Sequence, residues 1–247
     1  YDKNACHHPK YSVHDRTNGR IFKIAYGETD PVDVDLKQLS NEELVALQLD
    51  ENDWYVRHAR RILQERGPNE VVHAALTKIA FEDPDITRQL RGLWALHVTG
   101  GLTSELIDRG LNSPEEMVRA WTIQLALEDR QASEELLSQL VEMAGNDPSP
   151  VVGRYLGSAA DRLGIDERVE IVRALVSHDE DAGDHNLPLM YWYALEPIAG
   201  ENMQLGLEIA SEAKLPPILG YTVRRIGSSG EPEAVDFDNW LAGLKQE

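Results

Sequence analysis

One short motif recurs along this chain: an apolar residue followed by Arg, close to the start of a helix-patterned stretch. "DWYVRHARRIL", "TRQLRGLWAL" and "EEMVRAWTIQL" carry it at Val56-Arg57, Leu90-Arg91 and Val118-Arg119. "DPSPVVGRYLGSA" repeats the frame at Val152-Gly153. The spacing is roughly 30–35 residues, the period of helical-pair repeats. A lone pair has too small an apolar face to be stable. Stacked pairs bury one continuous core.

From Leu36 onward the pattern is helical throughout. "LSNEELVALQL" opens with Ser40 as N-cap and Glu43 three residues on, a capping box that satisfies free N–H groups. "NDWYVRHARRILQERG" follows, with Val56, Ala59, Ile62 and Leu63 as its apolar stripe and Gly67-Pro68 as its stop. "NEVVHAALTKIAFED" and "PDITRQLRGLWALHVTGG" make the next pair. "LTSELIDRGL" and "SPEEMVRAWTIQLALED" follow, then "SEELLSQLVEMAGN" and "DPSPVVGRYLGSAADRLG". "DERVEIVRALVSH" with "NLPLMYWYALEPIAG" and "NMQLGLEIASEAK" with "LPPILGYTVRRIG" complete the run, and "EPEAVDFDNWLAGLKQE" reads as one closing helix. The expected fold is all-α, a right-handed α-α superhelix (solenoid) of about six helical pairs over residues 36–247.

Residues 1–35 differ. Asn18-Gly19 is a tight-turn dipeptide, and Phe22, Ile24 and Tyr26 alternate with Lys23 and Ala25 as a strand does. A short N-terminal β-like arm is expected, with "HPKYSVHDR" as partner strand and "GETDPVDVD" as linker. A hairpin by itself is not stable in water, so the arm must dock on something. The chain begins at Tyr1 and reads as a domain from a longer precursor.

Charge narrows the function classes. The net charge of −19 repels nucleic acid and anionic lipid unless a local basic patch overrides it. No apolar run is long enough to span a membrane. The single Cys6 excludes an internal disulfide and a cysteine-only metal site. Cys6, His7 and His8 are adjacent, without the spacing that lets a chain wrap a metal, and "ACHHP" is not the C-x-x-C-H haem signature.

Asp-x-x-apolar-Arg-x-x-Ala before a Leu, as from Asp53 to Leu63, resembles the HEAT repeat, an armadillo-like architecture. The likeness covers roughly residues 36–227. "GRIFKIAYG", "LSNEELVALQLDENDWYVRHARRILQERG", "LRGLWALHVTGGL" and "DHNLPLMYWYALEPI", in this order, resemble the middle of large planctomycete- and verrucomicrobia-type membrane-bound dehydrogenases. In that family a β-propeller precedes a HEAT segment and a haem-binding C-x-x-C-H domain follows it. The resemblance implies that residues 1–35 end a propeller, and that substrate oxidation and haem belong to other domains of an exported or periplasmic parent. It implies no active site within this chain.

The most chemistry-like window is "HDEDAGDHNLPLMYWY", from His178 to Tyr193. Two His with two of the four carboxylates would suit iron or zinc, but the Glu-x-x-His and His-x-x-x-His spacings of helix-borne sites are absent. An EF-hand fails because Gly183 stands one place early and Met190 stands where Glu is required. HEAT-type hydroxylases hold iron on repeated His-Glu pairs, and no His-Glu dipeptide occurs here. The plainer reading is a loop and cap. Asn186 or Asp184 caps the following helix, Pro188 suits its first turn, and Leu189, Trp192, Tyr193 and Leu195 pack against neighbours. Asp184, His185 and Asn186 are the candidate partner-contact residues.

Trp54, Trp94, Trp121, Tyr155 and Trp192 recur near corresponding places in the second helices. Such a row lines a groove, stacks bases or fills the core between helices, and the acidic balance favours core. Arg57, Arg91 and Arg119 are expected to pair with acids between repeats, as Trp94, Trp121 and Trp192 pack between them. No G-x-S-x-G nucleophile or phosphate loop is present.

The expected function is therefore a non-catalytic scaffold, protein-interaction or spacer module. The competing class is an enzyme on a HEAT scaffold, hydroxylase-like or glycosylase-like. The expected partner is protein or an adjacent domain of the same parent, not nucleic acid or membrane, and the chain is expected to be a monomer. In a solenoid the second helices line the concave face, which commonly receives partners, and an acidic concave face would prefer a basic partner or domain. No catalytic residue, metal or cofactor is assigned to this chain.

Overall fold

The computed structural model describes residues 24–27, 32–229 and 240 of the 247. The chain divides into two compact units, Tyr1–Asp35 and Leu36–Glu247. In the first, the described residues form no strand, and Ile24 and Tyr26 are fully exposed. The expected turn at Asn18-Gly19 and the Cys6-His7-His8 cluster lie outside the described residues, as does all of the closing helix except Trp240.

The second unit is all-helical among the described residues. Its helices are α1 (Asn41–Ala46), α2 (Asp53–Arg66), α3 (Glu70–Glu82), α4 (Ile86–Val98), α5 (Ser104–Leu111) and α6 (Glu116–Ala126). They continue as α7 (Glu134–Asn146), α8 (Pro150–Ala160), α9 (Ile165–Leu175), α10 (Leu187–Glu201), α11 (Met203–Glu212) and α12 (Pro216–Gly227).

Local chemistry sets the boundaries. The capping box at Ser40 is present: Glu43 N–H donates to Ser40 Oγ at 3.2 Å, and Ser40 N–H donates to Glu43 Oε2 at 2.7 Å. Asn52, Asn69, Asp85, Thr103, Ser133, Ser149 and Asn202 accept side-chain caps at seven further helix starts. Gly67 ends α2 with φ 83°, a backbone conformation that disfavours any Cβ.

The helices pack as successive pairs, α1 with α2 through α11 with α12. The second helix of each pair also packs on the second helix of the next, in unbroken order α2, α4, α6, α8, α10, α12. Two close approaches use glycine where any larger residue would collide. A Cβ on Gly92 of α4 would lie 2.7 Å from the Ala80 backbone nitrogen of α3. One on Gly206 of α11 would lie 2.6 Å from Ala199 Cα of α10.

The core falls into two large clusters. The first is built on Leu44, Leu63, Leu76, Leu93 and Leu96 from the first two pairs. The second is built on Ile123, Leu140, Leu156, Ile171, Tyr191 and Ile218 from the later pairs. Trp121 and Leu125 of α6 reach back to pack on the first cluster, so the joint between them lies at the second and third pairs. A small third cluster joins Leu207 and Ile226, with Met203, Leu219 and Trp240 against it.

Candidate functional site

The window from His178 to Tyr193 forms a short 3-10 turn, Asp179–Gly183, and then enters α10. Asp184 does the capping: its Oδ1 accepts from the N–H groups of Asn186 and Leu187 at 2.7 and 2.9 Å. These two bonds hold the Asp184 carboxyl below its usual pKa range. Asn186 precedes α10 without a side-chain cap bond, and His185 is exposed. The three candidate partner-contact residues thus share one exposed corner.

The rest of the window turns inward. Tyr191 is buried between α10 and α8, facing the backbone at Gly153 and Gly157. Its hydroxyl donates to Asp181 Oδ2 at 2.7 Å. Burial pushes the phenol pKa up, and the bond to Asp181 adds to the shift, so this tyrosine stays protonated. A cavity of about 30 Å³ lies beside it, bounded by Met143, Asp147, Ser149, His178 and Asp181. That is room for a single water, not for a substrate.

His178 ties this loop to the preceding pair. Its Nδ1 meets Glu180 Oε1 at 2.7 Å, and its Nε2 meets the Ala144 carbonyl at 2.7 Å. Both partners only accept hydrogen bonds, so both bonds form together only in the imidazolium. Burial pulls the pKa down, but the Glu180 and Ala144 bonds outweigh it and the net shift is upward from 6.5. A raised folded pKa means that the native state binds the proton more tightly than the unfolded chain does. The stabilisation is complete below about pH 6.5 and is lost as pH rises through the folded value. Denaturant titrations at pH 6 and pH 8.5 are expected to show lower stability at the higher pH, and His178→Gln is expected to remove most of that difference. An unchanged pH dependence in His178→Gln would show that the histidine makes no such contribution.

The repeated arginines take three different positions. Arg91 donates through Nη1 to the Asp50 carbonyl at 2.8 Å and pairs with Asp53 at 3.1 Å, so it staples α4 to the loop of the first pair. Arg119 reaches the other way, to Asp147 in the loop of the next pair, at 2.7 and 2.9 Å. It also donates to the Ser113 and Pro114 carbonyls. Arg57 departs from the expected inter-repeat role. It meets only Asp53 on its own helix, at 3.5 Å, and is largely exposed. Arg225 also pairs across, with Glu196, and two further cross-pair ties were not anticipated from sequence: His97 with Glu128 and Arg173 with Glu212.

The tryptophans line the row of second helices. Trp94 and Trp121 meet edge to face at 4.9 Å, Trp121 and Tyr155 lie 6.1 Å apart, and Trp192 and Tyr221 lie 5.6 Å apart. Arg60 lies over Trp94 and Arg154 over Tyr155, within cation–π range. All three tryptophans are half-buried, so they fill the seams between pairs while keeping an edge at the surface. Trp54 stays apart, exposed and stacked on His58.

Charge is sorted between the two rows. The second helices carry ten arginines against five carboxylates, whereas the first helices carry four cationic side chains against fourteen carboxylates. The expectation of an acidic face on the second helices therefore fails. Among the described residues the acidity sits on the first helices and the loops, and a sum over the sequence conceals this.

Among the described residues, no group of three or more His, Cys, Asp or Glu is placed to hold a metal ion. No helix among them is long and apolar enough to cross a membrane. No protein-family model and no curated protein matches the chain.

Proposed function

We propose that this chain is a non-catalytic scaffold: a HEAT-like α-α superhelix that binds protein or sets the distance between neighbouring domains. The observation that carries the reading is the unbroken packing of α2, α4, α6, α8, α10 and α12, each on the next. Such an array presents one long face, and its length grows with the number of pairs. The chemistry-like window supports the same reading, since its polar groups are spent on a cap, a buried phenol and a loop tie.

In this proposal the parent is a haem-containing dehydrogenase of the propeller–HEAT–cytochrome type, with residues 1–35 as the exit from the propeller. The gene tests that part directly. A propeller encoded before Tyr1 and a C-x-x-C-H domain after Glu247 are the expected result, and unrelated flanking domains would overturn it. Elemental analysis tests the non-catalytic part. The purified chain is expected to hold no stoichiometric iron or zinc, and metal at one per chain that disappears in His185→Ala would make it a metalloenzyme instead.

A further inference from the structure

The groove between α10 and α12 is built from two matching stripes. Leu189, Trp192, Tyr193 and Glu196 face it from α10, and Tyr221, Arg224 and Arg225 face it from α12, with Ser228 at the cap just beyond. Each set follows the i, i+3, i+4, i+7 spacing that puts four side chains on one helix face. The groove is open to solvent and has a volume of about 450 Å³. Leu189 is 41% exposed and Tyr193 51% exposed, one helical turn apart, while Trp192 and Tyr221 lie ring to ring. Leu189 and Tyr193 thus leave apolar surface open to a partner at one place on α10.

The other end of the groove is polar and unbalanced. Arg225 donates to Glu196, so those two charges compensate each other. Arg224 is exposed and pairs with no acid among the described residues. The groove therefore joins an apolar trough to one free guanidinium.

We propose that this groove docks a short acidic peptide segment, one in which Asp or Glu stands beside a large aliphatic or aromatic residue. The proposal rests on the reading of the second helices as a protein-binding face and assigns that face its partner chemistry. The apolar side chain lies against Leu189, Tyr193 and Tyr221. The neighbouring carboxylate takes Arg224, whose planar fork matches a carboxylate in a bidentate pair. From Leu189 to Glu196, α10 rises about 10 Å, the reach of about three extended residues. The sign of the partner follows from Arg224, because the other two charges of the groove, Arg225 and Glu196, already pair with each other. Nucleic acid fits less well, because a phosphate backbone needs a run of cations and this groove offers one in a chain of net charge −19.

The test uses acetyl-Asp-Phe-Asp-Leu-amide, titrated into the ¹⁵N-labelled chain while the tryptophan indole and backbone amide signals are followed. Shifts are expected at the Trp192 indole and along α10 and α12, and acetyl-Lys-Phe-Lys-Leu-amide is expected to produce none. Arg224→Glu is expected to weaken the acidic peptide about tenfold or more with an unchanged melting temperature, since the side chain is exposed. Leu189→Ser supplies a second variant, with the same loss expected through the apolar half. Equal response to both peptides, full binding by Arg224→Glu, or shifts on other helices would overturn the proposal. So would tighter binding of an oligothymidine at the same signals, or broadening of those signals with protein concentration alone, which would identify a second copy as the occupant. A negative result would leave the scaffold reading standing, because the gene and metal tests do not depend on this groove.

Discussion

Asp147→Ala is expected to cost about 3–5 kcal/mol of folding stability, the range for stranding one member of a buried ion pair. The side chains of Arg119 and Asp147 are only 14% and 8% exposed, so water replaces little of what is removed. The guanidinium cannot swing away, because its Nη1 is also held by the Ser113 and Pro114 carbonyls. The bond to Asp147 is the main cause of a pKa for Arg119 above its ordinary value, and an arginine that loses this bond still keeps its charge, where a buried lysine would shed it. Asp147 Oδ1 accepts from Ser149 N–H as well, at 3.0 Å, so the start of α8 loosens with it. Adding Arg119→Met to Asp147→Ala is expected to recover part of the loss, since an apolar side chain leaves no charge behind. Urea unfolding of the wild type, single and double variants measures this. A loss under about 1 kcal/mol in the single variant would place the pair with surface ion pairs.

Tyr191→Ala is expected to cost a similar amount, about 3–5 kcal/mol, the range for truncating a buried aromatic ring. The ring fills the trough left by Gly153 and Gly157 on α8. Tyr191→Phe isolates the hydroxyl. It keeps the ring and removes the donor to Asp181, for an expected loss of about 1–3 kcal/mol. If both variants cost the same, the hydrogen bond rather than the packing holds the loop. Thermal or urea unfolding of the two side by side decides between them.

Much of the fold is legible in the sequence. Helical periodicity, caps and glycine stops placed the pairs because these signals are local, a few residues of backbone hydrogen bonding at a time. The capping box at Ser40 and the stop at Gly67 belong to that class. What escaped were properties that depend on which element lies opposite. Arg57, Arg91 and Arg119 share one motif, yet Arg91 finds carbonyls in the preceding pair, Arg119 finds Asp147 in the following one, and Arg57 belongs to the first pair of its unit. Gly153 and Gly157 stood in plain view at helical spacing. That they form a trough for a ring from two helices later became visible only with Tyr191 against them. In the window from His178 to Tyr193 the loop and cap were readable, whereas the contact of His178 with Ala144, 34 residues away, was not. The sign of the second-helix face was missed because the charge was summed over the chain rather than row by row.

The joint between the two large core clusters gives the array a mechanical character. Arg91 ties elements inside the first block and Arg119 ties elements inside the second, so neither staple crosses the joint. The edge-to-face meeting of Trp94 with Trp121 and the ion pair of His97 with Glu128 do cross it. Aromatic faces slide and tilt with little loss of contact, whereas a bidentate carboxylate pair tolerates almost none. A load applied along the array meets such yielding contacts at this seam and a guanidinium staple on either side of it, as a jointed strut meets its pin between stiff members.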